Sequence, residues 1–133
     1  MGLFKEKENK IEIDNGFIIT TLDINKPYKI LGPVFYQTAN KGVLGGTYDE
    51  LRWKYSEALE NAKNEGLITQ EWYGHYIESD YDKAFYIARQ EIVKRAKILG
   101  ADAIVGLRFD LDLDSNGYAN FSLQMYGTAI KLE

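Results

Sequence analysis

The segment from Ser79 to Asp110 constrains the fold most strongly, because its pattern predicts a long helix, a glycine stop and then a strand. A capping box formed by Ser79 and Asp82 is expected at the start of the helix. Gly100 can adopt the left-handed conformation that ends a helix. Apolar residues at steps of three or four form the main stripe of this helix: Tyr81, Phe85, Ala88, Ile92, Ala96 and Leu99. A second apolar set (Ala84, Ile87 and Ile98) predicts another contact, either with an inserted helix or with another subunit.

The strand after this helix and the next apolar run form a predicted hairpin, because both alternate apolar and polar residues. Facing residues must lie on the same side of a sheet, so the alternation predicts that Leu111 lies opposite Phe121. The same register places Phe109 opposite Leu123 and requires a three-residue loop at 115–117. We expect the main core to contain Tyr81, Phe85, Ala88, Ile92, Leu99, Val105, Leu107, Phe109, Leu123 and Met125.

The part of the chain before the long helix predicts two strands and a helical insert. The strands are expected at 17–21 and 28–36, and Pro33 marks the second as an edge strand or a bulge because proline has no N–H. A capping box at Thr47 predicts a helix that opens an insert spanning 48–78.

Composition argues against several classes of protein. The net charge is −4 at pH 7, with basic residues dispersed among acidic ones, which argues against nucleic-acid binding. There is no cysteine, hence no disulfide and no thiolate metal site. No apolar run is long enough to cross a membrane, and residues 1–8 lack a signal-peptide core, so a cytoplasmic protein without a membrane partner is expected. The glycines at 42–46 are not followed by Lys-Ser/Thr, so no cofactor is predicted.

Three carboxylates provide the candidate metal site. Asp110, Asp112 and Asp114 are expected on one face of a strand, where they could hold a hard cation weakly. The loop after them lacks the glycine and the closing glutamate of an EF-hand, so a solvated polar strand face is the simpler interpretation. Soft metals prefer thiolates or several imidazoles, and this chain offers only His75.

A group of aromatic residues in the insert provides the candidate ligand or partner site: Trp72, Tyr73, His75 and Tyr76. The alternative is that these aromatics simply form the core of the insert. His75 is the only histidine of the chain, and no nucleophile motif is present, so we predict no catalytic residue and no enzyme.

Residues 99–110 and 126–131 closely resemble the YbjQ-like family of small proteins, which are labelled heavy-metal-binding domains. The resemblance covers residues 17–36 and about 80–132. It implies an α+β fold in β-β-α-β-β order, like a dodecin subunit, with a two-layer antiparallel sheet under one long helix. It also implies a homopentamer and no established activity.

This chain departs from the family in two places. Residues 1–10 are expected to be a flexible tail on a single domain that spans 1–133, and the insert at 48–78 is additional. Within the insert, residues 64–72 resemble the helical-hairpin modules called SHOCT. We therefore predict a non-enzymatic, ring-forming homo-oligomeric structural or interaction module, with a protein partner recruited through the insert. The alternative is a protein that binds a metal ion or a small ligand.

Overall fold

The computed structural model describes residues 16–39, 42–66, 76–113 and 121–133. The described strands form a four-stranded sheet in the order β1-β3-β4-β2, and the described helices pack on one of its faces. The elements are β1 (Ile18–Ile19), β2 (Tyr28–Ala39), α1 (Gly42–Lys54), α2 (Ser56–Asn64), α3 (Tyr76–Ile98), β3 (Ala103–Leu113) and β4 (Phe121–Leu132).

The α+β class is confirmed, but the sheet is mixed rather than wholly antiparallel. β1 runs parallel to β3, with Ile18 beside Ala103, whereas β3–β4 and β4–β2 are antiparallel. β1 and β2 lie on opposite edges and run in the same direction, so no hairpin turn joins them. The chain between them instead packs Ile24 on the sheet face opposite the helices.

The long helix ends as predicted but begins earlier. α3 starts at Tyr76, so Ser79 lies inside the helix rather than at its N-cap. Gly100 has φ +84°, its N–H donates to the carbonyl of Lys97 (2.9 Å), and the N–H of Ala101 donates to the carbonyl of Ala96 (3.1 Å). This is a Schellman motif, which satisfies carbonyl groups at the end of the helix and turns the chain into β3.

The insert begins before the predicted capping box at Thr47, because α1 starts at Gly42 and packs against β2. This tertiary contact can stabilise a helix start that glycine would not favour alone. Ala84 and Ile87, on the second apolar face of α3, are fully buried in one cluster with Tyr48 and Tyr55 of the insert. The inserted-helix explanation therefore accounts for these two residues.

In the hairpin of β3 and β4, the apolar side chains lie on the predicted face of the sheet, but the predicted pairs of facing residues are wrong. Leu111 lies opposite Leu123 and Phe109 opposite Met125, a shift of two residues that keeps each apolar side chain on the helix-facing side. The predicted loop at 115–117 lies outside the described residues.

A β-bulge at Gly106 accounts for a second difference. Gly106, with φ +62°, and Leu107 together lie opposite Gly127. The extra residue reverses the alternation, so Val105 packs on the outer sheet face with Ala103 and Ile130 instead of in the main core.

Two of the residues predicted for the main core are exposed. The side chains of Leu99 and Phe109 are 46% and 49% exposed, so their assignment to the core is wrong. Leu99 lies in the turn that ends α3, and Phe109 lies on a part of β3 that β1 no longer covers. Tyr81 and Phe85 are half-buried, and the buried members are Ala88, Ile92, Val105, Leu107, Leu123 and Met125.

Candidate functional site

The predicted carboxylate site is only partly described. Asp110 and Asp112 are exposed on the outer face of β3, opposite Gln124 and Ser122 of β4. Asp114 lies outside the described residues. Among the residues that the structure describes, no group of three His, Cys, Asp or Glu is placed to hold a metal ion. The metal site therefore stays a prediction.

The predicted aromatic site lies outside the described part of the chain. Trp72, Tyr73 and His75 are not among the described residues, and of Tyr76 only its position as the first residue of α3 is described. A ligand or partner site in these residues stays a prediction as well.

The outer side of β2 is one edge of the sheet, as Pro33 predicts. Phe35 is 65% exposed, and its carbonyl accepts a hydrogen bond from Nη1 of Arg95 (2.6 Å) instead of from a strand. The Arg95 guanidinium carbon lies 5.4 Å from the centre of the Phe35 ring and 5.1 Å from that of Tyr36. Because these two neighbouring side chains point to opposite faces of the sheet, the cation lies at the edge between the two faces. We call β2 with Arg95 the cationic edge.

The other edge is the second half of β3, where β1 has ended. The last described backbone bond from β3 to the β1 segment runs from the N–H of Leu107 to the carbonyl of Thr20 (3.0 Å). Nη1 of Arg108 then closes this junction by donating to the carbonyls of Thr21 and Leu107, at 2.9 Å each. Beyond Arg108, no described strand pairs with the outer side of β3.

This half of β3 presents apolar side chains together with backbone groups that no described strand pairs. Backbone groups alternate in direction along a strand, so those of Phe109 and Leu111 point away from β4, as the N–H of Leu107 does. The side chain of Phe109 is 49% exposed and that of Leu111 is 41% exposed. The Phe109 ring packs edge-to-face on Phe85 of α3, with 4.8 Å between the ring centres. Since Asp110 and Asp112 line its outer face, we call residues 108–113 the acidic edge.

A partly buried polar contact connects the insert to α3. The hydroxyl of Tyr55 donates to Oε2 of Glu91 (2.6 Å), and Nζ of Lys94 approaches the same oxygen at 2.9 Å. Burial, together with the hydrogen bond to the Glu91 carboxylate, raises the pKa of Tyr55. Burial also raises the pKa of Tyr36 to about 12, with the charge of Glu91 as the second cause. Both phenols therefore stay neutral at physiological pH and act as structural groups here.

Sequence patterns did not identify Arg95 or Tyr55 as important residues. Arg95 looks like an ordinary cation near the C-terminus of a helix, and Tyr55 looks like one member of an apolar stripe. Their partners, Phe35 and Glu91, are distant in sequence, so only the packing of α3 against β2 and the insert brings these groups together. The one available signal was Pro33, which marks β2 as an edge strand.

Comparison with known proteins agrees with this fold. Residues 73–133 match the model of a family described as putative heavy-metal-binding. A crystal structure of a protein of unknown function from Pediococcus pentosaceus, described as belonging to the DUF74 family, has a TM-score of 0.55 and 24% identity. The match covers 90% of this chain and 100% of that one, and at this identity it concerns the fold alone.

No curated protein matches the chain. None of the helices in the described ranges is long and apolar enough to span a membrane. The resemblance of residues 64–72 to SHOCT modules stays a prediction. The YbjQ-like character that the sequence predicts is confirmed by the family model over residues 73–133.

Proposed function

We propose that this protein is a non-enzymatic homo-oligomer that closes into a ring and serves as a structural or interaction module. The resemblance to the YbjQ-like family supplies the number of subunits, a pentamer. The insert, which that resemblance does not account for, would then lie on every subunit and offer a repeated surface for a protein partner.

The observation that supports a ring is that no strand of the described part of the chain pairs with the outer side of β2 or with the second half of β3. The cationic edge exposes the ring of Phe35, and the acidic edge exposes Phe109 and Leu111 together with backbone groups that no strand in the described ranges pairs. Such edges favour pairing with another chain unless they are covered. Contact between two different surfaces, repeated from subunit to subunit, closes a ring when the rotation is suitable.

The long helix provides less support for this proposal than its sequence suggests. Ala84 and Ile87, which could have met a neighbouring subunit, are already buried within one chain. Only Ile98 of the second apolar set, at 84% exposure, is left for another contact. The proposal therefore depends on the sheet edges.

Light scattering coupled to size exclusion, together with native mass spectrometry, tests the proposal. We expect a species with five times the 15.2 kDa mass of the chain at micromolar concentration. A monomer at that concentration would rule out the ring, and a two-fold dimer would rule out cyclic closure by two different surfaces.

A further inference from the structure

We infer that the subunits join head to tail, with the cationic edge of one subunit pairing in parallel with the acidic edge of the next. Arg95 of one subunit then faces Asp110 and Asp112 of its neighbour. This inference rests on the proposed ring and specifies which surfaces meet.

The direction of the strands supports this pairing. β3 and β2 are both antiparallel to β4, so they run in the same direction at opposite sides of the sheet. When one subunit is placed beside another with its helices on the same face, β2 of one comes next to β3 of the other as a parallel strand. The helices stay on one side throughout, so each step repeats the previous one. Such repeated steps close into a ring when the rotation per step is suitable.

The backbone also supports it, because groups that can pair lie on both sides. Phe109 and Leu111 direct their backbone groups outward on β3, and Phe35 and Gln37 direct theirs outward on β2. The Arg95–Phe35 bond covers one of these carbonyls, and this bond lies at an exposed position. In the assembled state, the guanidinium would give up the Phe35 carbonyl to the incoming strand and bind a carboxylate instead.

Charge then distinguishes this arrangement from the two symmetric alternatives. Pairing two acidic edges would bring Asp110 and Asp112 against their own copies, and like charges on facing strands destabilise a sheet. Pairing two cationic edges would bring Arg95 close to its own copy and would place Pro33, which has no N–H to donate, on both of the pairing strands. Only the mixed pairing places opposite charges together, and such complementarity selects partner and register.

A charge exchange tests the contact. Arg95→Glu or Asp110→Arg alone should weaken assembly, raising the dissociation constant by roughly tenfold or more. The double variant, which carries both substitutions, should restore assembly to near the wild-type constant because the opposite charges are simply exchanged. Lys97→Glu and Asp49→Arg are the matched controls, since they make the same charge changes at exposed positions outside the two edges.

The outcomes separate this inference from the proposed function. If the wild-type chain is a monomer, the ring itself is wrong. If the wild-type chain is a ring and the double variant assembles no better than the single variants, the ring stands and the edge pairing is wrong. Circular dichroism of each variant shows whether a loss of assembly reflects unfolding.

Disulfide crosslinking provides a second test, because the chain contains no cysteine. Within one subunit, Gln37 and Asp110 are separated by β4 and lie roughly 10 Å apart, which is too far for a disulfide. A chain carrying both Gln37→Cys and Asp110→Cys should therefore crosslink only between subunits and give a ladder up to the full ring on non-reducing gels. Replacing Asp110→Cys by Asp112→Cys tests a register shifted by two residues.

Single-cysteine chains complete this test. Asp110→Cys alone and Gln37→Cys alone should both remain uncrosslinked, because each edge meets the opposite edge. Dimers from either single variant, or the absence of a ladder from both double variants when the wild-type chain is a ring, would overturn the head-to-tail pairing.

Discussion

Substitution of Gly127 by alanine should destabilise the fold because β3 approaches this residue unusually closely. A Cβ atom at position 127 would lie 2.8 Å from Cγ2 of Ile104, 3.2 Å from the carbonyl oxygen of Val105 and 3.4 Å from Cα of Leu107. The last two atoms belong to the bulge backbone, and Ile104 is fully buried. None of these neighbours can move away without disturbing the hairpin.

The magnitude follows from two opposing effects. Overpacking a filled core costs about 1–3 kcal/mol. Replacing glycine by alanine lowers the entropy of the unfolded chain, which returns about 0.4–1 kcal/mol. We therefore expect Gly127→Ala to lower the free energy of unfolding by about 1–2 kcal/mol.

Denaturant unfolding followed by circular dichroism, at one fixed protein concentration because assembly affects apparent stability, measures this change. Gly106→Ala is the matched control, since no atom of the described residues lies within 4 Å of its added Cβ, whereas its φ of +62° opposes alanine. In a double-mutant cycle, Ile104→Ala should reduce the cost of Gly127→Ala, whereas it should not alter the cost of Gly106→Ala. A Gly127→Ala protein within 0.5 kcal/mol of wild type would refute the tight packing of the bulge on β4.

Three other outcomes are expected. Tyr55→Phe should lower the free energy of unfolding by about 1 kcal/mol in the same assay, because it removes the hydroxyl that donates to Glu91. The exposed control Tyr126→Phe should change it little, and equal effects would contradict a role for the Tyr55–Glu91 bond. The pKa of Tyr36 is raised to about 12, so the stability that its neutral phenol contributes should be present below pH 10 and be lost as the pH rises toward 12. Tyr36→Phe should therefore make the decline of the unfolding free energy with pH shallower, and an unchanged slope would contradict this role of Tyr36. Calorimetry should find no sub-micromolar binding of zinc or copper, because the chain has no cysteine and one histidine, and such binding abolished by His75→Ala would overturn this expectation.

The sequence alone determined the features that depend only on residues close together in the chain. The end of α3 follows from Gly100, because glycine adopts a left-handed conformation at little cost and the Schellman bonds close within the same turn. The faces of the predicted hairpin follow from alternation, since a strand places every second side chain on the same side. Pro33 likewise indicated an edge strand or a bulge, because a residue without an N–H cannot donate the hydrogen bond that a regular position in a central strand requires.

Other features of the sheet were decided by tertiary structure. Alternation constrains only whether a register is odd or even, so it could not separate the predicted pairing of Leu111 with Phe121 from the observed pairing with Leu123. The bulge at Gly106 inserts an extra residue and moves Val105 to the outer face, which an unbroken alternating pattern does not reveal.

The candidate site shows the same division. The common outer face of Asp110 and Asp112 follows from their spacing, and both lie exposed there. Their position on an open edge depends on where β1 ends, and the cation on the opposite edge depends on the packing of α3 against β2. The exposure of a strand depends on which segments cover it, and a contact such as that of Arg95 with Phe35 depends on how elements distant in sequence pack together. Both are therefore properties of the whole tertiary arrangement.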